Sequence, residues 1–290
     1  MLSLLTNNAA LSAQNSISQT QDALSASMTR LSTGKRIRSA MDDAAGLQIA
    51  TRLQAQTSGM NKAMTNTQNS TSLLQTAMGT FSEVTKMLIR MKDLATSAAD
   101  ASSSADDKTA NQAEFDALGK ELFNIMKNTT FGGSKLLGDG TGAAAGTLST
   151  SMTFQIGASA SETMNVDLSG GMSTLNAALF SASSNFSSGN AVGTELTANA
   201  NATITALTKA ISDVSTVNSA LGAATSRLDH INNNLSNIAV NTKAATGRIM
   251  DTDYATESSN MTSSQMLLQA GNAMLKQSNN ISQMVMSLLQ

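Results

Sequence analysis

Few residues of this chain are of types that do chemistry, and their spacing points away from catalysis. The one histidine, His230, sits in a polar stretch with helical periodicity. Base catalysis or metal ligation needs a partner within hydrogen-bond or coordination reach, so a lone histidine there reads as a surface residue. Cysteine is absent, as are His-Glu-x-x-His and a glycine loop ending in Gly-Lys-Ser/Thr. The run Gly138 to Gly142 has no adjoining Lys-Ser/Thr and reads as a turn. Asp251, Thr252 and Asp253 begin like a calcium loop, but the third acidic or Asn ligand and the turn glycine are missing. Carboxylates placed just before a helix favour its N-terminus through the helix dipole, which is the plainer reading. Lys35, Arg36 and Arg38 could touch phosphate. With Asp42 and Asp43 a few residues on, a local or intersubunit ion network is the better expectation. No catalytic residue, metal or cofactor is expected.

These charges must be held by elements of an unusual kind. Among 290 residues there is no proline, and aromatics make up only 3%. Average proline usage would give roughly fourteen, and proline breaks helix interiors, so the composition suits very long helices. Few aromatics mean few bulky anchors, and apolar surface is then buried along narrow helix–helix seams. The formal net charge of −2 gives no push toward nucleic acid. No run approaches about 18 apolar residues, and no charged segment leads an apolar one into a small-residue cleavage site. We therefore expect neither a membrane-spanning chain nor one exported by an ordinary cleaved signal.

Leu4, Leu11, Ile17, Leu24, Met28 and Leu31 fall near sevens, threes and fours, the pattern of one narrow helical stripe. A polar joint from Leu31 to Leu47, with Gly34 and Gly46, separates this helix from a second one over 43–99. Ser102 to Ser104 with Asp106 and Asp107 form a turn with N-cap chemistry before a helix over about 107–128. Phe131-Gly132-Gly133-Ser134 and Gly138 to Gly142 are loop signals. Apolar–polar alternation over Met152–Gly157 and Thr163–Leu168 predicts a β-hairpin. Residues 169–195 are Ser-, Gly-, Ala- and Asn-rich, with Leu175, Leu179 and Phe180 placed for a short helix. This is the least constrained stretch of the chain. Helical periodicity returns over 196–245 and is broken at Gly247. Leu267, Gly271, Met274, Ser278, Ile281, Val285 and Leu288 then alternate in steps of four and three. The fold class expected is mainly α: long antiparallel helices forming a coiled-coil rod, with a small β-hairpin in the middle of the chain.

The joint carries a resemblance. Leu31-Ser32-Thr33-Gly34-Lys35-Arg36-Ile37-Arg38-Ser39-Ala40-Met41-Asp42-Asp43-Ala44-Ala45-Gly46-Leu47 resembles the N-terminal signature of bacterial flagellin. Leu4-Leu5-Thr6-Asn7 resembles the family's opening. Arg248 to Glu257, Gln269 to Leu275 and Ser287-Leu288-Leu289 resemble its end. Phe131 to Leu137 and Phe154 to Ala158 are similar to its hairpin region. The similarity covers roughly 1–168 and 195–290. The chain departs from the pattern at Lys35, where an apolar residue is usual, at Met41, where Lys is common, at Ser282 in place of Pro, and at Gln290 in place of Arg.

The resemblance implies a structural subunit of the extracellular flagellar filament, exported by the flagellar type III apparatus, with no enzymatic activity. It implies that 1–42 and 247–290 are the two halves of an inner coiled-coil domain that folds and pairs on assembly. Residues 43–246 would be an outer-tube domain with the hairpin at about 152–168 and a short variable middle at about 169–195. Leu24, Met28, Leu31, Leu267, Met274, Ile281, Val285 and Leu288 are the expected inner seam. Lys35, Arg36, Arg38, Asp42 and Asp43 would form a spoke that holds neighbouring subunits by charge. Implied partners are further copies of the chain, the flagellar cap, hook–filament junction proteins and an export chaperone, with no nucleic acid and no membrane. Some flagellins are recognised by Toll-like receptor 5, and the matching positions are Arg90, Leu94 and Glu114. A hook–filament junction protein of the same superfamily and a secreted adhesin are the alternatives.

Overall fold

A computed structural model of the chain describes the backbone of residues 7–138, 146–186 and 192–288, and side chains as far as 280. Leu4 to Thr6, Asp139 to Ala145, Leu289 and Gln290 lie outside the described residues, as do the side chains of Ile281, Val285 and Leu288. The described residues form six helices: α1 (Asn8–Thr33), α2 (Ala44–Ala99), α3 (Ala105–Asn128), α4 (Ser169–Ala182), α5 (Glu195–Met250) and α6 (Tyr254–Leu288). Two antiparallel strand pairs accompany them: β1 (Thr130–Phe131) with β2 (Ser134–Lys135), and β3 (Met152–Gln155) with β4 (Thr163–Val166). The mainly α expectation holds.

The chain divides into two compact units. One comprises residues 1–56 and 240–290, the other 57–239. The divisions fall inside α2 and α5, beyond the joint and not at it.

The larger unit has the chain's main core. Leu74, Phe81, Leu88 and Met91 of α2 pack with Phe115, Leu122 and Met126 of α3 and with Leu207, Val214, Leu221 and Leu228 of α5. Met78 of α2 meets Thr225 of α5, and Met60 and Ala63 meet Leu235 and Ala239, so α2 and α5 run antiparallel. The polar turn before α3 is a capping box. Ser104 accepts from the Asp107 amide, and the Asp107 carboxylate accepts from the Ser104 amide.

One local expectation is sharpened and two are corrected. Phe131 to Ser134 is a tight hairpin turn, because Gly132 and Gly133 take φ of 58° and 86°. Positive φ at both central residues suits the right-handed twist of the paired strands. Residues 169–182 are far from unconstrained: Met172, Leu175 and Leu179 of α4 and Phe186 after it are fully buried, while Phe180 points outward. Their small neighbours let α4 lie close, as where Gly171 meets Val217 of α5. Gly247 does not break its helix; α5 runs through it to Met250. A Cβ there would come within 2.7 Å of Asp251 Oδ2, so the glycine makes room for the turn that follows.

The β3–β4 hairpin forms as predicted, in the register Met152–Val166 and Phe154–Met164. Its apolar residues share one face, which covers the core. Many helical hydroxyls bond back to the carbonyl four residues earlier, as in Thr20 to Ser16, Thr29 to Ser25, Thr76 to Ser72 and Thr96 to Lys92.

One polar cluster in this unit was not foreseen. Buried Asp116 of α3 accepts from Gln112 Nε2 (2.7 Å), Asn185 Nδ2 (2.8 Å) and the Gly193 amide (3.0 Å). Gln112 also donates to Glu195 and accepts from the Leu196 amide, while Glu195 accepts from the amide and hydroxyl of Ser184. The cluster joins α3, the segment after α4 and the start of α5. Burial pushes the Glu195 carboxyl pKa up, but the Ser184 and Gln112 hydrogen bonds outweigh it, and the net shift is below the ordinary value. Glu195 therefore stabilises the fold above its unfolded pKa, and that contribution is lost as pH falls through the lowered folded value. Glu195→Gln is expected to cost about 1 kcal/mol near neutral pH. Urea melts between pH 3 and 6 should show a shallower acid decline than in the parent.

Candidate self-assembly interface

In the smaller unit α1 and α6 lie side by side. Asn7 Nδ2 donates to Ser278 at one end (3.1 Å to Oγ), and Arg30 pairs with Glu257 at the other (3.7 Å), so the helices are antiparallel. Asn7 caps α1 by accepting from the Ala10 amide. The residues turned inward on α1 are Ala10, Ala13, Ile17, Thr20, Leu24, Ser27 and Leu31. On α6 they are Glu257, Met261, Ser264, Leu268, Gly271, Leu275 and Ser278. Both rows alternate strictly in threes and fours, the spacing of a coiled-coil seam. Ile17 sits over Gly271, where a Cβ would come within 2.9 Å of Ile17 Cγ1. Gly271→Leu should force the helices apart, and loss of seeded filament elongation with an unchanged melt of residues 57–239 would show it.

This geometry reassigns part of the expected seam. Leu24 and Leu31 lie in it. Met28 is 51% exposed, Leu267 62% and Met274 68%. Gly271 and Ser278 belong to two heptad frames at once, one running through Leu267 and Met274 and the other through Leu268 and Leu275, and the second is the one turned inward. The residues missed, Ser27 and Ser264 among them, are small and polar, so hydrophobic periodicity does not mark them. Leu267 and Met274 instead edge a groove of about 440 Å³ whose floor includes Ala9, Ser12, Ala13 and Gly271.

The joint is a backbone clasp. Gly34 ends α1 with φ of 69°, its amide bonded to the Arg30 carbonyl. The left-handed conformation explains the glycine. Arg36 N donates to the Met250 carbonyl (2.7 Å), Thr252 N to the Gly34 carbonyl (3.0 Å) and the Arg36 guanidinium to the Ile249 carbonyl (2.9 Å). Ile37 is fully buried here. Gly46 has ordinary helical φ, so it does not make the turn; it leaves space for Ile37 and for the Asp43 carboxylate.

The two aspartates have local work. Asp42 Oδ2 accepts from the Arg38 and Ser39 amides (both 3.0 Å), bonds that hold its carboxyl below the usual range. Asp43 accepts from the Gly46 amide (2.8 Å) at the start of α2. Among the described residues neither forms a salt bridge with Lys35, Arg36 or Arg38. Asp253 starts α6 in the same way, its carboxyl lowered first by the Thr256 hydroxyl and then by the Ala255 and Thr256 amides. The paired terminal helices, the exposed apolar row beside their seam and the clasped joint can support association along the chain's ends.

The bacterial flagellin N-terminal helical region matches residues 4–141, and the C-terminal helical region matches 204–289. Flagellin of Bacillus subtilis is 36% identical over 299 residues, covering 98% of both chains. The chain belongs to the bacterial flagellin family. It is a structural subunit of the extracellular flagellar filament, the polymer that serves motility. Polar flagellin F of Vibrio parahaemolyticus serotype O3:K6 is 46% identical over 163 residues, 56% of this flagellin and 41% of that relative. A solved Vibrio parahaemolyticus structure, provisionally described as a flagellar hook-associated protein, shares the fold. Its TM-score is 0.54 at 15% identity, over 72% of this chain and all of that one.

In the larger unit of this flagellin, Arg90 Nη2 lies 2.7 Å and Nε 2.8 Å from Glu114 Oε1. Both side chains are about half exposed, so the pair adds little stability. Leu94 is only 5% exposed and belongs to the core, so it is not available to a rigid partner that touches the surface.

Proposed function

We propose that this flagellin polymerises through its paired ends, residues 1–42 with 247–290, while 43–246 forms the outer tube. The observation that carries this reading is the second apolar row. α6 turns one heptad row toward α1 and leaves Leu267 and Met274 uncovered beside it, with Leu11 and Met28 exposed on α1. Another copy of the chain would cover that row; Ile281, Val285 and Leu288, which continue the same four-and-three spacing in sequence, are proposed for the same contact. Lys35, Arg36 and Arg38 supply the intersubunit charge at the spoke, Asp42 and Asp43 being engaged in their own turn.

The terminal helices fold and pair as they join the filament. Only Ile17, Leu24 and Leu31 are bulky among the seven inward positions of α1, and all three are half-buried. Full burial of such a side chain is worth about 1.5–3 kcal/mol, so an isolated pair gains only part of that, and neighbours supply the rest. The subunit leaves the cell unfolded through the flagellar type III apparatus with an export chaperone. It meets the cap and the hook–filament junction proteins at the two ends of the filament. Toll-like receptor 5 is a further partner, through Arg90 and Glu114.

Addition of purified monomer to sonicated filament seeds tests the central reading. Elongation is the expected result; monomer that adds one layer and stops would point to a junction protein instead.

A further inference from the structure

We infer that the exposed methionines of the smaller unit are oxidation sites whose conversion to sulfoxide blocks assembly; the effect on assembly rests on the function proposed above. Methionine is the dominant soft nucleophile of this chain. There are eighteen methionines, no cysteine, no tryptophan and one tyrosine. With no thiol to intercept it, a peroxide meets thioethers first.

The structure sorts those thioethers by place. Met60, Met91, Met126, Met152, Met164 and Met172 are buried in the larger unit. In the smaller unit Met28, Met41, Met266 and Met274 are exposed, Met41 at 96%. Susceptibility follows access, so oxidation should divide along the same line. In each event the thioether sulfur attacks one oxygen of hydrogen peroxide, the O–O bond breaks, and an S–O bond forms. Proton transfer to the departing oxygen releases water; sulfur is oxidised by two electrons and the peroxide is reduced.

The product changes the surface where it forms. Met266 and Met274 stand two turns apart on one face of α6, and Met274 edges the groove floored by Ala9, Ser12 and Ala13. A sulfoxide there is polar and accepts hydrogen bonds from water, so an apolar contact that covers it must strip that water away. In the larger unit six methionines are buried and Met64, Met78 and Met87 are half-buried, none of them fully exposed, so its packing is kept. The vulnerable state is the free subunit: before its ends pair these methionines are open to solvent, and in the filament a neighbour that covers Met266 and Met274 also shields them.

The test treats purified full-length monomer with hydrogen peroxide, maps sulfoxides by peptide mass spectrometry, and measures elongation on untreated seeds. Met28, Met41, Met266 and Met274 should oxidise about tenfold faster than the buried methionines. Elongation should fall by about tenfold while the melt of the larger unit is unchanged. Methionine sulfoxide reductase with a dithiol, which is oxidised to its disulfide as water is released, should restore it. A variant with all four methionines changed to Leu should elongate and resist peroxide; the single changes Met266→Leu and Met274→Leu give the same reading if the quadruple variant assembles poorly. Equal oxidation of buried and exposed methionines, undiminished elongation after oxidation, or equal peroxide sensitivity of the Leu variants would overturn the inference. Untreated monomer that does not elongate would count against the proposed function instead, and the mapping would still decide the oxidation sites.

Discussion

A chain cut back to residues 43–246 is expected to stay folded and to lose filament elongation entirely. Every residue of the main core lies between Leu74 and Leu228, and the smaller cluster lies between Met60 and Ala239. Cutting at 42 and 247 therefore removes no core side chain from residues 57–239. It does remove α1, α6, their seam and the clasp through Arg36, Met250 and Thr252. The helical segments 43–56 and 240–246 lose their partners and should fray by a few turns. Circular dichroism should show a helical protein with a cooperative melt close to that of the full chain. Addition to seeds should give no growth. Filaments from the shortened chain would mean that the paired ends are not the assembly device; an unfolded remainder would mean that the core depends on them.

Asp116→Ala should be the most damaging single change in the larger unit, at about 3 kcal/mol of folding stability. The carboxylate is buried and accepts from Gln112, Asn185 and the Gly193 amide. Removing it leaves three buried donors without their acceptor, and each such loss costs about 1–3 kcal/mol before relaxation. The Gly193 amide is part of the backbone and cannot swing away. Asp116→Asn keeps one acceptor oxygen and should cost clearly less. Urea unfolding of the two variants beside the parent measures the difference. Equal stability of Asp116→Ala and the parent would show that water already serves these donors.

The helices and the β3–β4 hairpin were legible because their signals are periodic and local. The absence of proline and the alternation over Met152–Gln155 need no tertiary information. The seam was legible only in part. Leu24 and Leu31 stand where the period places them, but Gly271 and Ser278 fit two frames, and only the packing of Ile17 over Gly271 chooses between them. The Asp116 cluster was not legible. Its members Gln112, Ser184, Asn185 and Glu195 are ordinary surface types in sequence, and it is the close approach of α3 to the start of α5 that buries them. Asp42 and Asp43 show a local role that the sequence did not mark. Next to three basic residues they look like ion-pair partners, yet within the chain it is backbone amides three or four residues away that reach them.

The hydroxyls bonded back along their own helices carry a consequence for solubility. In the unfolded chain every threonine and serine hydroxyl is free for water, so a long passage without structure stays hydrated. On helix formation Thr20, Thr29, Thr76 and Thr96 spend their donors on their own backbone. The threonines keep a methyl group to show their surroundings. The same residues thus make the chain wettable before it folds and easier to dehydrate afterwards, which is the order of events a subunit added at the end of a polymer requires.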